Sequence, residues 1–143
     1  MTAQCFLDTN VLIYAARTKR EEPQKHSVAI DVLRNERFCV SAQVLQEFYV
    51  AVQRTDRRAS GVALTEPEAA EWLGWLGAFC EVATDLFLVF QAIETARRHR
   101  ISYWDAAIVA AAVRAGAPVV YSEDLNHGQR YGDVQVINPF LSR

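Results

Sequence analysis

At 143 residues the chain has the length of one domain, enough for a single hydrophobic core and too short for two ordinary ones, so residues 1–143 are expected to fold as one unit. Hydrophobic residues make up 51% and charged residues 22%, which excludes a disordered chain, and no uninterrupted apolar run reaches bilayer-spanning length. A net charge of −2 argues against a broadly basic protein that coats nucleic acid, and a start that meets Asp8 almost at once lacks a signal-peptide pattern; a cytoplasmic protein with no membrane partner is expected.

Residues 4–7 form the first predicted strand, and the apolar run Val11-Leu12-Ile13-Tyr14-Ala15-Ala16 predicts a short helix or turn before a charged stretch containing Pro23. Val28, Ala29, Val32 and Leu33 recur at helical spacing between about Gln24 and Arg34. Phe38-Cys39-Val40 predicts a strand, and Ser41 an N-cap for a helix reaching about Arg54. The stretch 55–65 reads as a loop. Thr65-Glu66-Pro67-Glu68 is a capping box with proline in the first turn, opening a helix through Trp72, Trp75 and Leu76. Phe79 to Val82 predicts a third strand, after which Thr84 or Asp85 caps a helix carrying Phe87, Val89, Phe90, Ile93 and Ala96. Asp105 opens an alanine-rich helix over Ala106–Ala115, which Gly116 and Pro118 end. Strands at 118–121 and Val134–Ile137 complete the set. Strands alternating with helices predict an α/β fold with a central parallel sheet flanked by helices, in which ligands sit beyond the carboxyl ends of the strands.

Cys5, Cys39 and Cys80 lie among apolar neighbours without a CxxC spacing, and their odd number cannot pair completely; they read as buried thiols in a reducing compartment. Three basic clusters, Arg17/Lys19/Arg20/Lys25, Arg54/Arg57/Arg58 and Arg97/Arg98/Arg100, are either phosphate contacts or solvated helix faces. Trp72 and Trp75, three residues apart, form a packing or interface stripe rather than a base-stacking platform. His26, His99 and His127 lack metal-ligand spacing and read as surface or hydrogen-bonded side chains.

Four acids carry the chemistry: Asp8, Glu47, Asp105 and Asp124 each stand where a predicted strand ends or a helix passes. Each also has a plainer explanation. Asp8 is suited to cap the helix after the first strand, Asp105 forms a capping-box arrangement with Ser102, and Asp124 suits a turn. Glu47 shares a stripe with Val44 and Ala51, at the edge of an inward face where an unpaired carboxylate is costly unless a salt bridge meets it. Gathered together, the four carboxylates repel unless a cation sits among them, and hard oxygen ligands select Mg²⁺ or Mn²⁺; the chemistry implied is metal-assisted attack on a phosphodiester.

In order and spacing, Phe6-Leu7-Asp8-Thr9-Asn10-Val11-Leu12, Ser41-Ala42-Gln43-Val44-Leu45-Gln46-Glu47-Phe48, Ile101-Ser102-Tyr103-Trp104-Asp105-Ala106-Ala107-Ile108 and Tyr121-Ser122-Glu123-Asp124-Leu125 resemble a PIN-domain ribonuclease, and within that superfamily a VapC toxin of a type II toxin–antitoxin pair. The resemblance spans nearly the whole chain. It implies a PIN-like domain that cuts RNA as an Mg²⁺- or Mn²⁺-dependent endoribonuclease using metal-activated water. Asp8, Glu47, Asp105 and Asp124 are then the catalytic, metal-binding acids, with Asn10 orienting Asp8 and Ser122 orienting the last acid. It further implies a homodimer and a cognate VapB-like antitoxin, with no other cofactor. Glu123, adjacent to Asp124, is expected to point away towards solvent. Two other readings stay open: a haloacid-dehalogenase-like phosphatase, weakened because Asn10 stands where a second Asp is needed, and an inactive PIN domain that only binds RNA or a partner.

Overall fold

The apolar run Cys5-Phe6-Leu7 is the innermost strand, β1, buried at all three positions, and the sheet grows outward from it on both sides. In this computed structural model the described residues are 3–17, 22–55 and 61–141. On one side of β1 lies β2 (Phe38–Ser41), in parallel register with Cys5 opposite Phe38, and beyond it a two-residue parallel strand, β3 (Glu81–Val82). On the other side lies β4 (Val119–Tyr121), parallel to β1 with Leu7 opposite Tyr121. The parallel β6 (Val134–Ile137) and the short antiparallel β5 (Arg130–Tyr131) close that edge, giving the order β3-β2-β1-β4-β6-β5.

Helices connect and flank these strands: α1 (Thr9–Ala16), α2 (Pro23–Asn35), α3 (Ala42–Val52), α4 (Glu66–Gly77), α5 (Leu86–His99) and α6 (Tyr103–Ala115). Their ends follow the predicted chemistry. Ser41 caps α3 by accepting from the Val44 amide, Thr65 and Glu68 form the reciprocal capping box of α4, Asp85 caps α5, and Gly116 ends α6 with φ 70°. Every residue of α6 from Ala106 to Ala112 is buried, so small side chains let this helix lie close against the sheet while α5 packs along its other side. Among the described residues no helix is long and apolar enough to cross a membrane.

Several expectations are corrected. The alanine-rich helix begins three residues earlier than expected, at Tyr103, because Ser102 is its cap; Asp105 is its third residue and donates its backbone N–H to Ser102 Oγ at 3.1 Å. The third strand shortens to Glu81–Val82. β5 was not expected, and it is held by a two-residue hairpin loop, Gly132-Asp133, in which Gly132 takes a φ of 63° that suits glycine. Cys39 and Cys80 are not free thiols: they stand side by side on β2 and at the approach to β3, joined as a disulfide. Only Cys5 is free and buried, its thiol pKa pushed up to about 12 chiefly by burial and further by Glu36. The pairing removes the cysteine pattern as an argument for a reducing compartment.

Arg17, expected among phosphate-binding candidates, is instead 2% exposed. Its guanidinium donates to the carbonyls of Val52 at 3.0 Å, Arg54 at 2.7 Å and Gly61 at 3.0 Å, tying α1 to the end of α3 and the chain beyond it. Lys19, Arg20, Arg57 and Arg58 lie outside the described residues. Arg97 and Arg98 occupy the last turn of α5, where their charge complements the helix dipole, and Arg100 follows in the left-handed region with φ 54°. Trp72 and Trp75 join Phe48, Phe38 and Phe79 in a chain of tilted and edge-to-face rings, which is packing as expected.

Candidate metal centre

β1 and β4 are neighbours in space although most of the chain separates them, and successive connections leave this pair in opposite directions across the sheet. That makes their carboxyl ends a topological switch point, where an α/β sheet opens a crevice. Asp8 follows β1 there, its backbone N–H donating to Tyr121 O at 3.1 Å, and Ser122 follows β4.

Asp8 does two jobs at once. Its Oδ1 accepts from the Thr9 amide at 2.7 Å and so caps α1, while Oδ2 accepts from Ser122 Oγ at 2.8 Å. The side chain is 8% exposed, and among the described residues no lysine or arginine pairs with it. Burial raises its pKa from 3.8 to about 6; the bonds from Ser122 and Thr9 pull it down, and the charges of Asp124 and Glu47 push it up again. A carboxylate so placed is short of positive charge.

Asn10 and Ser122 each reach both the first and the last acid, more widely than expected. Asn10 Oδ1 accepts the Glu123 amide at 3.1 Å, which turns its NH₂ towards the acids. That group lies 3.2 Å from Asp124 Oδ2, 3.4 Å from Ser122 Oγ and 3.5 Å from Asp8 Oδ2, so its best partner is the last acid. Ser122, fully buried, gives its only proton to Asp8 and accepts the backbone amides of Asp124 and Leu125 at 3.1 and 3.2 Å, tying the turn after β4 to the first acid.

Glu47 is exposed on α3, so the expectation of a desolvated carboxylate at the edge of the core is corrected. Two polar side chains hold it instead: Thr9 Oγ1 donates to Oε2 at 2.7 Å and Gln43 Nε2, one helical turn earlier, donates to Oε1 at 3.1 Å. Neither Thr9 nor Gln43 was singled out from the sequence. Gln43 was detectable from its i, i+4 spacing to Glu47; Thr9 had only its place beside Asp8.

Asp8, Glu47 and Asp124 are thus brought together through Thr9, Asn10 and Ser122. Asp105 is not joined to them by a hydrogen bond; it stands half-buried in the first turn of α6, whose Trp104 carbonyl lies 3.5 Å from the same Gln43 Nε2 that reaches Glu47. With the side chains as they lie, no three acids, cysteines or histidines among the described residues close on one point as a metal cage. The donor set nevertheless fits a hard cation: Asp8, Glu47 and Asp124 supply carboxylate oxygens linked through shared hydroxyl and amide donors, and the most buried one is destabilised as an anion.

Glu123 does not face solvent as expected. It is half-buried and accepts from Lys25 Nζ at 2.8 Å, an ion pair that raises the lysine pKa. The histidines are as expected: His26 Nδ1 lies 2.8 Å from Tyr14 O, His127 Nδ1 accepts the Asn138 amide at 3.0 Å, and His99 packs edge-on against Tyr131.

A family model for the PIN domain matches residues 5–132. Among solved structures, VapC20 of Mycobacterium tuberculosis, a sarcin-ricin loop cleaving toxin, aligns with a TM-score of 0.62 at 20% identity over 84% of this chain and 89% of that one. A toxin–antitoxin complex from Klebsiella pneumoniae aligns at 0.67 and 14% identity over 94% and 97% of the two chains. DNA-bound VapBC from Salmonella typhimurium aligns at 0.59 and 17% identity over 93% and 96%. At these identities the likeness is one of fold. No curated protein matches the chain in sequence.

Proposed function

This chain belongs to the PIN domain family, and from that membership we propose that it is an Mg²⁺- or Mn²⁺-dependent endoribonuclease, the toxin of a VapBC-type pair. The observation that carries the reading is the buried, cation-deficient Asp8 at the β1/β4 switch point, with Glu47 and Asp124 close enough to raise its pKa. Asp8, Glu47 and Asp124 would hold the ion together with Asp105 from α6. When bound, such an ion neutralises charge on the phosphodiester and makes a water nucleophilic at neutral pH. The chain's own residues fix the carboxylates. Ser122 and the Thr9 amide hold both oxygens of Asp8, Thr9 Oγ1 and Gln43 hold both oxygens of Glu47, and Asn10 aims its NH₂ at Asp124. Asn10 also argues against the phosphatase reading, since its side chain serves here as a donor between acids. No covalent intermediate is required.

The solved toxin–antitoxin complexes that share the fold support a cognate VapB-like antitoxin as partner, and a homodimer as the working form is part of the same proposal. An RNA substrate and an antitoxin partner would suit a cytoplasmic protein. The test is incubation of the purified protein with RNA and with a small phosphate ester, each with Mg²⁺ and with chelator. RNA fragments in Mg²⁺ alone are expected. Phosphate release from the ester with intact RNA would contradict the proposal.

A further inference from the structure

Glu123 precedes the last acid by one residue, and its ion pair reaches a helix that carries none of the four acids. Lys25, the third residue of α2, lies 98 residues from Glu123 in sequence yet holds Glu123 Oε1 at 2.8 Å. The lysine is itself seated. Its Nζ lies 3.2 Å from Glu22 Oε1, donates to Tyr14 OH at 3.2 Å, and stands 5.0 Å from the Tyr14 ring centroid and 5.9 Å from that of Phe140. From Glu123 the path to the acids is short. The Glu123 backbone N–H donates to Asn10 Oδ1, and the same Asn10 turns its NH₂ to Asp124, Ser122 and Asp8. Asp124 is exposed and takes part in no ion pair among the described residues, so the turn that carries it depends on Ser122 at its base and on Glu123 at its side.

We infer that Lys25 and Glu123 form a latch that clamps the turn after β4 against α1 and α2, so that Lys25 is a positioning residue setting the affinity of the acidic site for a divalent cation. The inference rests on the function proposed above. A half-exposed ion pair with a purely structural role shifts stability slightly and equally with and without metal. A latch changes the metal concentration the site requires.

The test is calorimetric titration of Mn²⁺ into the purified, RNA-free protein and into Lys25→Met, Glu123→Gln and the charge-swapped double variant Lys25→Glu/Glu123→Lys, with folding checked by circular dichroism. Lys25→Met and Glu123→Gln should each bind Mn²⁺ about tenfold more weakly, the scale of an outer residue that orients ligands, and the swap should recover part of the loss. In RNA cleavage the KM for RNA should stay unchanged and the rate at saturating Mn²⁺ should approach that of the unaltered chain. Glu123→Gln preserves shape and hydrogen-bonding capacity, so it remains informative if Lys25→Met folds poorly. Unchanged Mn²⁺ affinity in the folded variants overturns the latch, as does a raised KM for RNA at unchanged Mn²⁺ affinity, which would make Lys25 a substrate contact. Absence of Mn²⁺ binding by the unaltered chain is a different failure, that of the metal site itself, and the latch falls with it.

Discussion

Raising the pH of the metal-free protein from about 4 to about 7.5 is expected to destabilise it through Asp8, and Asp8→Asn should remove that loss. The Asp8 pKa is raised from 3.8 to about 6, first by burial and then by its acidic neighbours, against the opposing bonds from Ser122 and Thr9. The folded state therefore holds a proton that the unfolded chain gives up at lower pH. Below the unfolded value both states are protonated and the contribution to stability is fully present; it is lost as the pH rises through the folded value. The size of the raise corresponds to about 3 kcal/mol, or on the order of 10 °C in melting temperature for a chain of this length. The assay is thermal unfolding by circular dichroism in chelator over this pH range, for the unaltered chain and Asp8→Asn, so that the difference between them cancels the other titrating groups. Saturating Mn²⁺ should raise the melting temperature of the unaltered chain at the upper end of the range by mass action, and raise that of Asp8→Asn much less. Parallel pH profiles for the two proteins would refute the claim that Asp8 is a buried, charge-starved carboxylate.

Other substitutions separate the parts of the site. Asp124→Ala should cut the RNA cleavage rate at saturating Mg²⁺ at least about tenfold, or about 1.4 kcal/mol of transition-state stabilisation, while Glu123→Ala changes that saturated rate much less; a larger loss for Glu123→Ala, measured as initial rates, would show that the fourth acid is Glu123 and not Asp124. Thr9→Val keeps the shape but removes the donor 2.7 Å from Glu47 Oε2, and should lower the cleavage rate by about tenfold with a small change in melting temperature. Arg17→Met removes the buried guanidinium that joins the carbonyls of Val52, Arg54 and Gly61 and should cost about 3 kcal/mol in urea unfolding, an effect far beyond that of an exposed arginine.

Features specified by neighbouring residues were legible in the chain. Ser41, Thr65 with Glu68, and Gly116 cap helices through contacts within four residues, and each does so as its local chemistry predicts. β5 was legible in principle from Gly132-Asp133 but not recognised, because two residues carry no hydrophobic period. Partnerships made across the fold were not legible. Cys39 finds Cys80 only because β2 and β3 pair in register, Lys25 finds Glu123 only when α2 lies beside the end of β4, and Arg17, in a basic cluster that reads as solvated, finds the end of α3 35 residues away. A gathering of Asp8, Glu47, Asp105 and Asp124 was expected from strand ends and resemblance, and hydrogen bonds link the first, second and fourth, whereas which amide or hydroxyl serves which acid required the structure: Ser122, expected to orient the last acid, accepts the Asp124 backbone amide and gives its proton to Asp8.

The central claim, that these carboxylates hold a divalent cation which cuts RNA, is tested most directly by the initial rate of RNA cleavage by purified Asp8→Asn at saturating Mg²⁺, beside the unaltered chain, with both shown to be folded. Asparagine keeps the shape of Asp8 and removes its charge, so cleavage should disappear while the fold remains. Full activity in the folded variant would contradict the account.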